Sequence, residues 1–177
     1  MNVSNNKKIF LIGMMGSGKS SVGLKLSRLI SISFYDIDNI IGVPKSFNNN
    51  TLKDFRNKEF NKISMITNLN KKCLIASGGG SILNQQTRDI MESCYCIYLK
   101  TSINILMERI INHNIRRPII NYNTNGEINK THFSNLYKTR ISHYKKLSNL
   151  TIVTDNVSVA EVVNQIKDTI LKDEVKN

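Results

Sequence analysis

Acidic residues are scarce in this chain. Asp and Glu number 13 against 25 Lys and Arg, a formal net charge of +12 over 177 residues. An anionic partner is implied, and phosphorylated metabolites, nucleic acid and an acidic membrane surface all fit a basic protein. Cysteine is short as well: Cys73, Cys94 and Cys96 are odd in number and lack a paired spacing, which excludes a disulfide framework and points to a reducing, cytoplasmic setting. Cys94-Tyr95-Cys96 has no second Cys/His pair and reads as small buried residues on a strand rather than a zinc clip. With only Pro 2 and Gly 9, and 40% hydrophobic residues, collagen-like, low-complexity and extensively disordered classes are excluded. No apolar run reaches the length of a membrane span. Ile9 to Ile12 after Lys7 and Lys8 is not expected to be a signal peptide, because it passes at once into Gly16-Ser17-Gly18-Lys19. The few aromatics do not interleave with a basic run, so a nucleic-acid partner is not expected.

What is present suits one domain over residues 1–177. Short apolar runs, Ile9 to Ile12, Ser33 to Tyr35, Cys73 to Ala76, Cys96 to Leu99 and Leu150 to Val153, read as strands. They alternate with helices expected at Lys19 to Ile30, from Thr51 onward, Gln85 to Met91, Ser102 to Asn112, Thr131 to Leu147 and from Ser158. Thr51 with Asp54 reads as a weak capping box, and Ser158 with Glu161 as a good one. Arg116 to Lys130 shows no period and reads as a mobile loop. Alternating strands and helices indicate a five-stranded parallel sheet covered on both faces, with ligands bound beyond the strand C-termini.

Gly13-Met14-Met15-Gly16-Ser17-Gly18-Lys19-Ser20 fits the phosphate-loop pattern G-x-x-x-x-G-K-[ST], placed between a strand and a helix as the mechanism requires. Backbone N–H groups would curl around phosphate oxygens at Gly16, Ser17, Gly18, Ser20 and Ser21. Lys19 would supply charge to the β- and γ-phosphates, and the Ser20 hydroxyl would coordinate Mg²⁺. Asp36-Ile37-Asp38 follows the second strand, and as extended chain it would turn both carboxylates to one face, a pairing that a magnesium ion and a substrate hydroxyl would relieve. These features leave open other small-molecule kinases of this architecture, such as gluconate or nucleotide monophosphate kinases. A rival of another class, a basic nucleotide-binding protein with an RNA or DNA face, has little support in the sequence.

The ordered set of Gly13 to Ser20, Phe34 to Asp38, Phe55 to Glu59, Gly78-Gly79-Gly80, Arg117-Pro118 and Arg140 with Tyr144 closely resembles the shikimate kinase family over nearly the whole chain. The resemblance implies a three-layer P-loop kinase fold and transfer of the γ-phosphoryl of ATP to the 3-hydroxyl of shikimate, in chorismate and aromatic amino acid biosynthesis. It implies one Mg²⁺ held by Ser20 and Asp36, and a monomer. By the same resemblance Asp38 orients the accepting hydroxyl and Lys19 and Arg117 act on the phosphates, Arg117 from a lid at about 113–130. Asp38, Arg56, Gly79, Gly80 and Arg140 hold shikimate, whose carboxylate suits planar guanidinium forks. Glu59 is expected to hold Arg56 by an i,i+3 pair. Arg109 and Arg116 read as solvated charges. The substrate segment, about 39–68, is shorter between Asp38 and Arg56 than the family's, and Val157 stands where the family often has a polar adenine contact.

Overall fold

The run Lys8–Ile12 forms β1, every residue of it buried, as expected for a strand covered on both faces. The computed structural model describes residues 8–112, 118–123, 125 and 127–175, with side chains through 171. After β1 come α1 (Lys19–Leu29), β2 (Ser33–Asp36), α2 (Ile37–Ile41), α3 (Asn49–Thr67), β3 (Cys73–Ala76), a 3₁₀ turn (Ser81–Leu83), α4 (Gln85–Glu92), β4 (Tyr95–Lys100), α5 (Ile103–Asn112), α6 (Lys130–Leu147), β5 (Leu150–Val153) and α7 (Val159–Val175). The strands make one parallel sheet in the order β2-β3-β1-β4-β5.

Side chains along β1 alternate between two cores. Phe10 and Ile12 join Ile63, Ile66, Met91, Leu106, Phe133 and Tyr144 from α3, α4, α5 and α6. Ile9 and Leu11 face Val22, Leu26, Val162, Val163 and Ile166 from α1 and α7. This is the three-layer arrangement expected. Close packing on the second face depends on Gly23 of α1, where any Cβ would overlap the ring of Phe34. At the other end of the sheet Lys8, 7% exposed, donates to the carbonyls of Leu69 and Lys71 at 2.5 Å each. Those two acceptors compensate a buried ammonium and tie the start of β1 to the turn after α3.

Three local expectations are corrected. α3 starts at Asn49, not Thr51, because Asn48 is its N-cap: the Asn48 side chain accepts the Thr51 N–H at 2.9 Å, and the Thr51 hydroxyl accepts the Asn48 N–H at 2.8 Å. Thr51 therefore plays the reciprocal partner in the box, not the cap. Secondly, Asp36-Ile37-Asp38 is not extended. β2 ends at Asp36, whose carboxylate caps α2 by accepting the Asn39 N–H at 3.2 Å, so Asp38 lies on helix and the shared-face argument fails. Thirdly, the segment before α6 has structure of its own: Tyr122 and Ile128 form an antiparallel bridge, the Asn123 side chain accepts the N–H groups of Asn125 and Glu127, and Ile120 and Ile128 are buried in the first core. The box at Ser158 and Glu161 forms as read.

Candidate active site

β1 lies between β3 and β4, so the turn after it stands where the chain's connections diverge, the place at which open parallel sheets bind ligands. Gly16 (φ +83°) and Gly18 (φ +91°) take backbone conformations that side chains resist, and Gly18 is the N-cap of α1. Gly16 also packs closely on the Leu106 carbonyl and on Ile110 of α5. The Lys19 ammonium folds over the loop, 2.9 Å from each of the Gly13 and Met14 carbonyls. A cleft of about 670 Å³ opens over this loop, lined among others by Gly16, Gly18, Lys19, Ser20, Ser21 and by Asp36, Asp38 and Gly79. Both carboxylates thus reach the loop, although by a route through strand end and helix rather than through extended chain. Asp36 Oδ2 is buried without a hydrogen-bond partner among the described residues.

Beside this cleft is a second chamber, lined by Asp38, Arg56, Gly78, Gly79, Gly80 and Arg140 together with Met15, Phe47 and Phe55. α3 supplies Arg56 on its inner side, where Nη1 donates to Glu59 Oε2 at 2.6 Å and the guanidinium carbon lies 5.4 Å from the Phe55 ring centroid. Glu59, 1% exposed, also accepts the Ser81 hydroxyl. Arg140 arrives from α6 and is 1% exposed. Burial lowers its pKa from the usual arginine range, and the Tyr144 phenol beside it opposes that shift. Its Nη1 touches Met14 Sδ at 4.0 Å, and its Nε has no partner among the described residues. Tyr144, stacked on Tyr98 with ring centroids 5.1 Å apart, donates its hydroxyl to the Gly79 carbonyl at 2.5 Å. Desolvation raises the pKa of both phenols, so each stays a neutral donor.

The glycine turn is tighter than a triplet of glycines suggests. A Cβ on Gly78 would overlap Glu59 Oε1 and stand 2.7 Å from Asp38 Oδ1, and one on Gly80 would overlap the Arg56 guanidinium. Gly79 has more room, with the Met15 N 3.1 Å from its Cβ position. Two carboxylates and an arginine therefore close over bare backbone.

On the far side of the phosphate loop a cavity of about 280 Å³ is lined by Gly16, Ser17, Gly18, Ser21, Arg109, Thr154 and Val157. Here the reading of Arg109 as a solvated charge is corrected: Nη2 donates to the Thr154 carbonyl at 2.6 Å, and Nη1 lies 3.4 Å from the Gly16 carbonyl. Its signal in the sequence was its position three residues after buried Leu106 and one before buried Ile110, beside the stripe that faces the loop. Of the residues singled out, Gly16, Ser17, Gly18, Lys19, Ser20, Ser21, Asp36, Asp38, Arg56, Gly79, Gly80 and Arg140 all line these three adjoining spaces. Arg116 and Arg117 lie outside the described residues. Ser81 and the crowding at Gly78 escaped the sequence.

A family model described as shikimate kinase matches residues 15–171. A shikimate kinase of Blochmanniella floridana is 35% identical over 173 residues, covering 93% of this chain and 92% of that one. Among solved structures, a shikimate kinase of Acinetobacter baumannii, in complex with shikimate, is similar in fold with a TM-score of 0.81 at 24% identity, over 95% of this chain and 94% of that one. One from Aquifex aeolicus is similar with a TM-score of 0.74 at 25% identity, over 96% and 99%.

Proposed function

The chain belongs to the shikimate kinase family, and we infer from that membership and from the site that it transfers the γ-phosphoryl group of ATP to the 3-hydroxyl of shikimate. One observation carries the assignment to this site: Asp38 and Gly79 line both the phosphate-loop cleft and the arginine chamber. A hydroxyl held by Asp38 therefore stands where the two meet.

In this reading ATP lies along the loop, with adenine in the cavity beside Arg109 and Val157. Loop N–H groups hold the phosphates, and Lys19 turns from the Gly13 and Met14 carbonyls to the β- and γ-phosphates. Phosphoryl transfer needs placement and charge stabilisation more than covalent help. Asp38 accordingly orients the acceptor hydroxyl first and takes its proton second. Shikimate's carboxylate meets Arg56 and Arg140, and its ring lies against Gly79 and Gly80. Arg140 Nε, without a partner among the described residues, is a buried donor suited to such an anion. Ser20 and Asp36 fit a magnesium ion, since a hard cation takes oxygen ligands and Asp36 Oδ2 is a buried oxygen without a partner among the described residues. Such an ion would neutralise charge on the phosphates.

The remaining parts of the reading rest on sequence: one domain, a substrate segment at about 39–68, a lid at about 113–130 bringing Arg117 over ATP, and a cytoplasmic monomer with no nucleic-acid partner. No helix among the described residues is long and apolar enough to cross a membrane.

The arginine assignment is testable by steady-state kinetics. Arg140→Ala is expected to raise the KM for shikimate about 100-fold, the scale of a lost charge-assisted hydrogen-bonding group, and to move the KM for ATP by less than about threefold. Equal changes in both would remove Arg140 from the acceptor site.

A further inference from the structure

Glu59 has two oxygens and two separate partners. Oε2 takes Arg56 Nη1 at 2.6 Å, and Oε1 takes the hydroxyl of Ser81, a residue with no exposure at all. That hydroxyl also lies 2.8 Å from the Gly78 carbonyl, but the carbonyl already accepts Ser81's own N–H at 3.1 Å. A hydroxyl has one proton, and the charged carboxylate is the stronger acceptor. The proton therefore goes to Glu59.

The consequence falls on Arg56. With Oε1 bound to Ser81, the Arg56–Glu59 pair is made through Nη1 to Oε2, and Nη2 stays over Gly80, both residues lining the chamber. Without the Ser81 hydroxyl, Oε1 would be a buried carboxylate oxygen short of a donor, a costly condition. The donors closest to hand are those of Arg56. A two-point fork with Glu59 would satisfy both oxygens and turn Nη2 away from the chamber.

We propose that Ser81 is a positioning residue for the phosphoryl acceptor: by binding Glu59 Oε1 it keeps the Nη2 edge of the Arg56 guanidinium turned toward the acceptor's carboxylate. This rests on the reading that Arg56 binds that carboxylate. The pair is 22 residues apart in the chain and joins α3 to the 3₁₀ turn after the glycines, so the contact also fixes the turn against the helix.

The test is a double-mutant cycle read through KM values for both substrates. Ser81→Ala is expected to raise the KM for shikimate about tenfold, the scale of one hydrogen bond to a charged group, with kcat and the KM for ATP changing by less than about twofold. Ser81→Cys, close in volume and a poor donor, should follow alanine, and it guards against a folding defect in the first variant. In a Glu59→Gln background, where the pair with Arg56 is already weakened, Ser81→Ala should add less than about twofold, because its effect passes through Glu59. An unchanged shikimate KM in both Ser81 variants, or a full and independent effect on top of Glu59→Gln, would overturn the proposal. Arg56→Ala run alongside separates the two levels. An unchanged shikimate KM there overturns the clamp and this inference with it. A raised KM there beside unchanged Ser81 variants overturns the role of Ser81 alone.

Discussion

Lys19→Ala is expected to lower kcat by about 10³-fold, the upper range for removing one charge-stabilising donor from a preorganised site, and to leave the thermal melting temperature within a few degrees. The side chain opens α1 and donates to carbonyls of its own loop, Gly13 and Met14, and it belongs to neither hydrophobic core. Its charge is the part that matters. Phosphoryl transfer spreads negative charge over the transferring oxygens, and a cation fixed beside the β- and γ-phosphates stabilises that spread state more than the ground state. ADP release at saturating ATP and shikimate measures the effect. A loss smaller than about tenfold would mean that the loop binds nucleotide without taking part in the transfer.

Gly78→Ala should also be strongly damaging, through geometry rather than charge. Its φ is not in the left-handed region, so the backbone tolerates alanine. The obstacle is the pair of carboxylates, since the new Cβ would overlap Glu59 Oε1 and stand 2.7 Å from Asp38 Oδ1. One moves the acceptor-orienting group and the other the partner of Arg56. A displacement of about 1 Å in a reacting group costs on the order of 100-fold, and kcat/KM for shikimate is expected to fall by about that factor. The matching change at Gly79 should be milder, because the contacts nearest its Cβ position are 3.1 Å and beyond. Kinetics on the two alanine variants, with melting curves for each, separate this from a general loss of folding. Similar small losses in both would remove the special crowding at Gly78.

The phosphate loop was legible because its chemistry is local. A buried run, glycines at positive φ, and Lys-Ser at a helix start all fall within Lys8 to Ser21. The same holds for Ser158 and Glu161, whose two reciprocal bonds span three residues. Asp36 and Asp38 were found as a pair for a wrong local reason. The Asp36 side chain caps a short helix, and that helix, not extended chain, carries Asp38 into the cleft.

Arg109 was misread because an arginine on a helix is usually solvated, whereas its best acceptor, the Thr154 carbonyl, comes 45 residues later. Ser81 was missed for the same reason: its partner Glu59 precedes it by 22 residues. Gly78, Gly79 and Gly80 look equivalent as letters and differ only in what folds over them. Apart from the local misreadings at Asn48 and at Asp36 to Asp38, contacts between distant segments are where the sequence fell short. The strongly basic balance divides along similar lines. Lys19, Arg56, Arg109 and Arg140 line the site, while Lys25, Lys53 and Lys58 are exposed on α1 and α3, two of them beside exposed Leu24 and Asp54.

The most direct test of the account is ADP formation by the purified protein with ATP and Mg²⁺, measured with shikimate, with gluconate, with a nucleoside monophosphate, and with no acceptor. Turnover that depends on shikimate, is near background with the other acceptors, and yields a shikimate product phosphorylated at the 3-position is the result predicted. Turnover with gluconate or a nucleoside monophosphate and none with shikimate would contradict it.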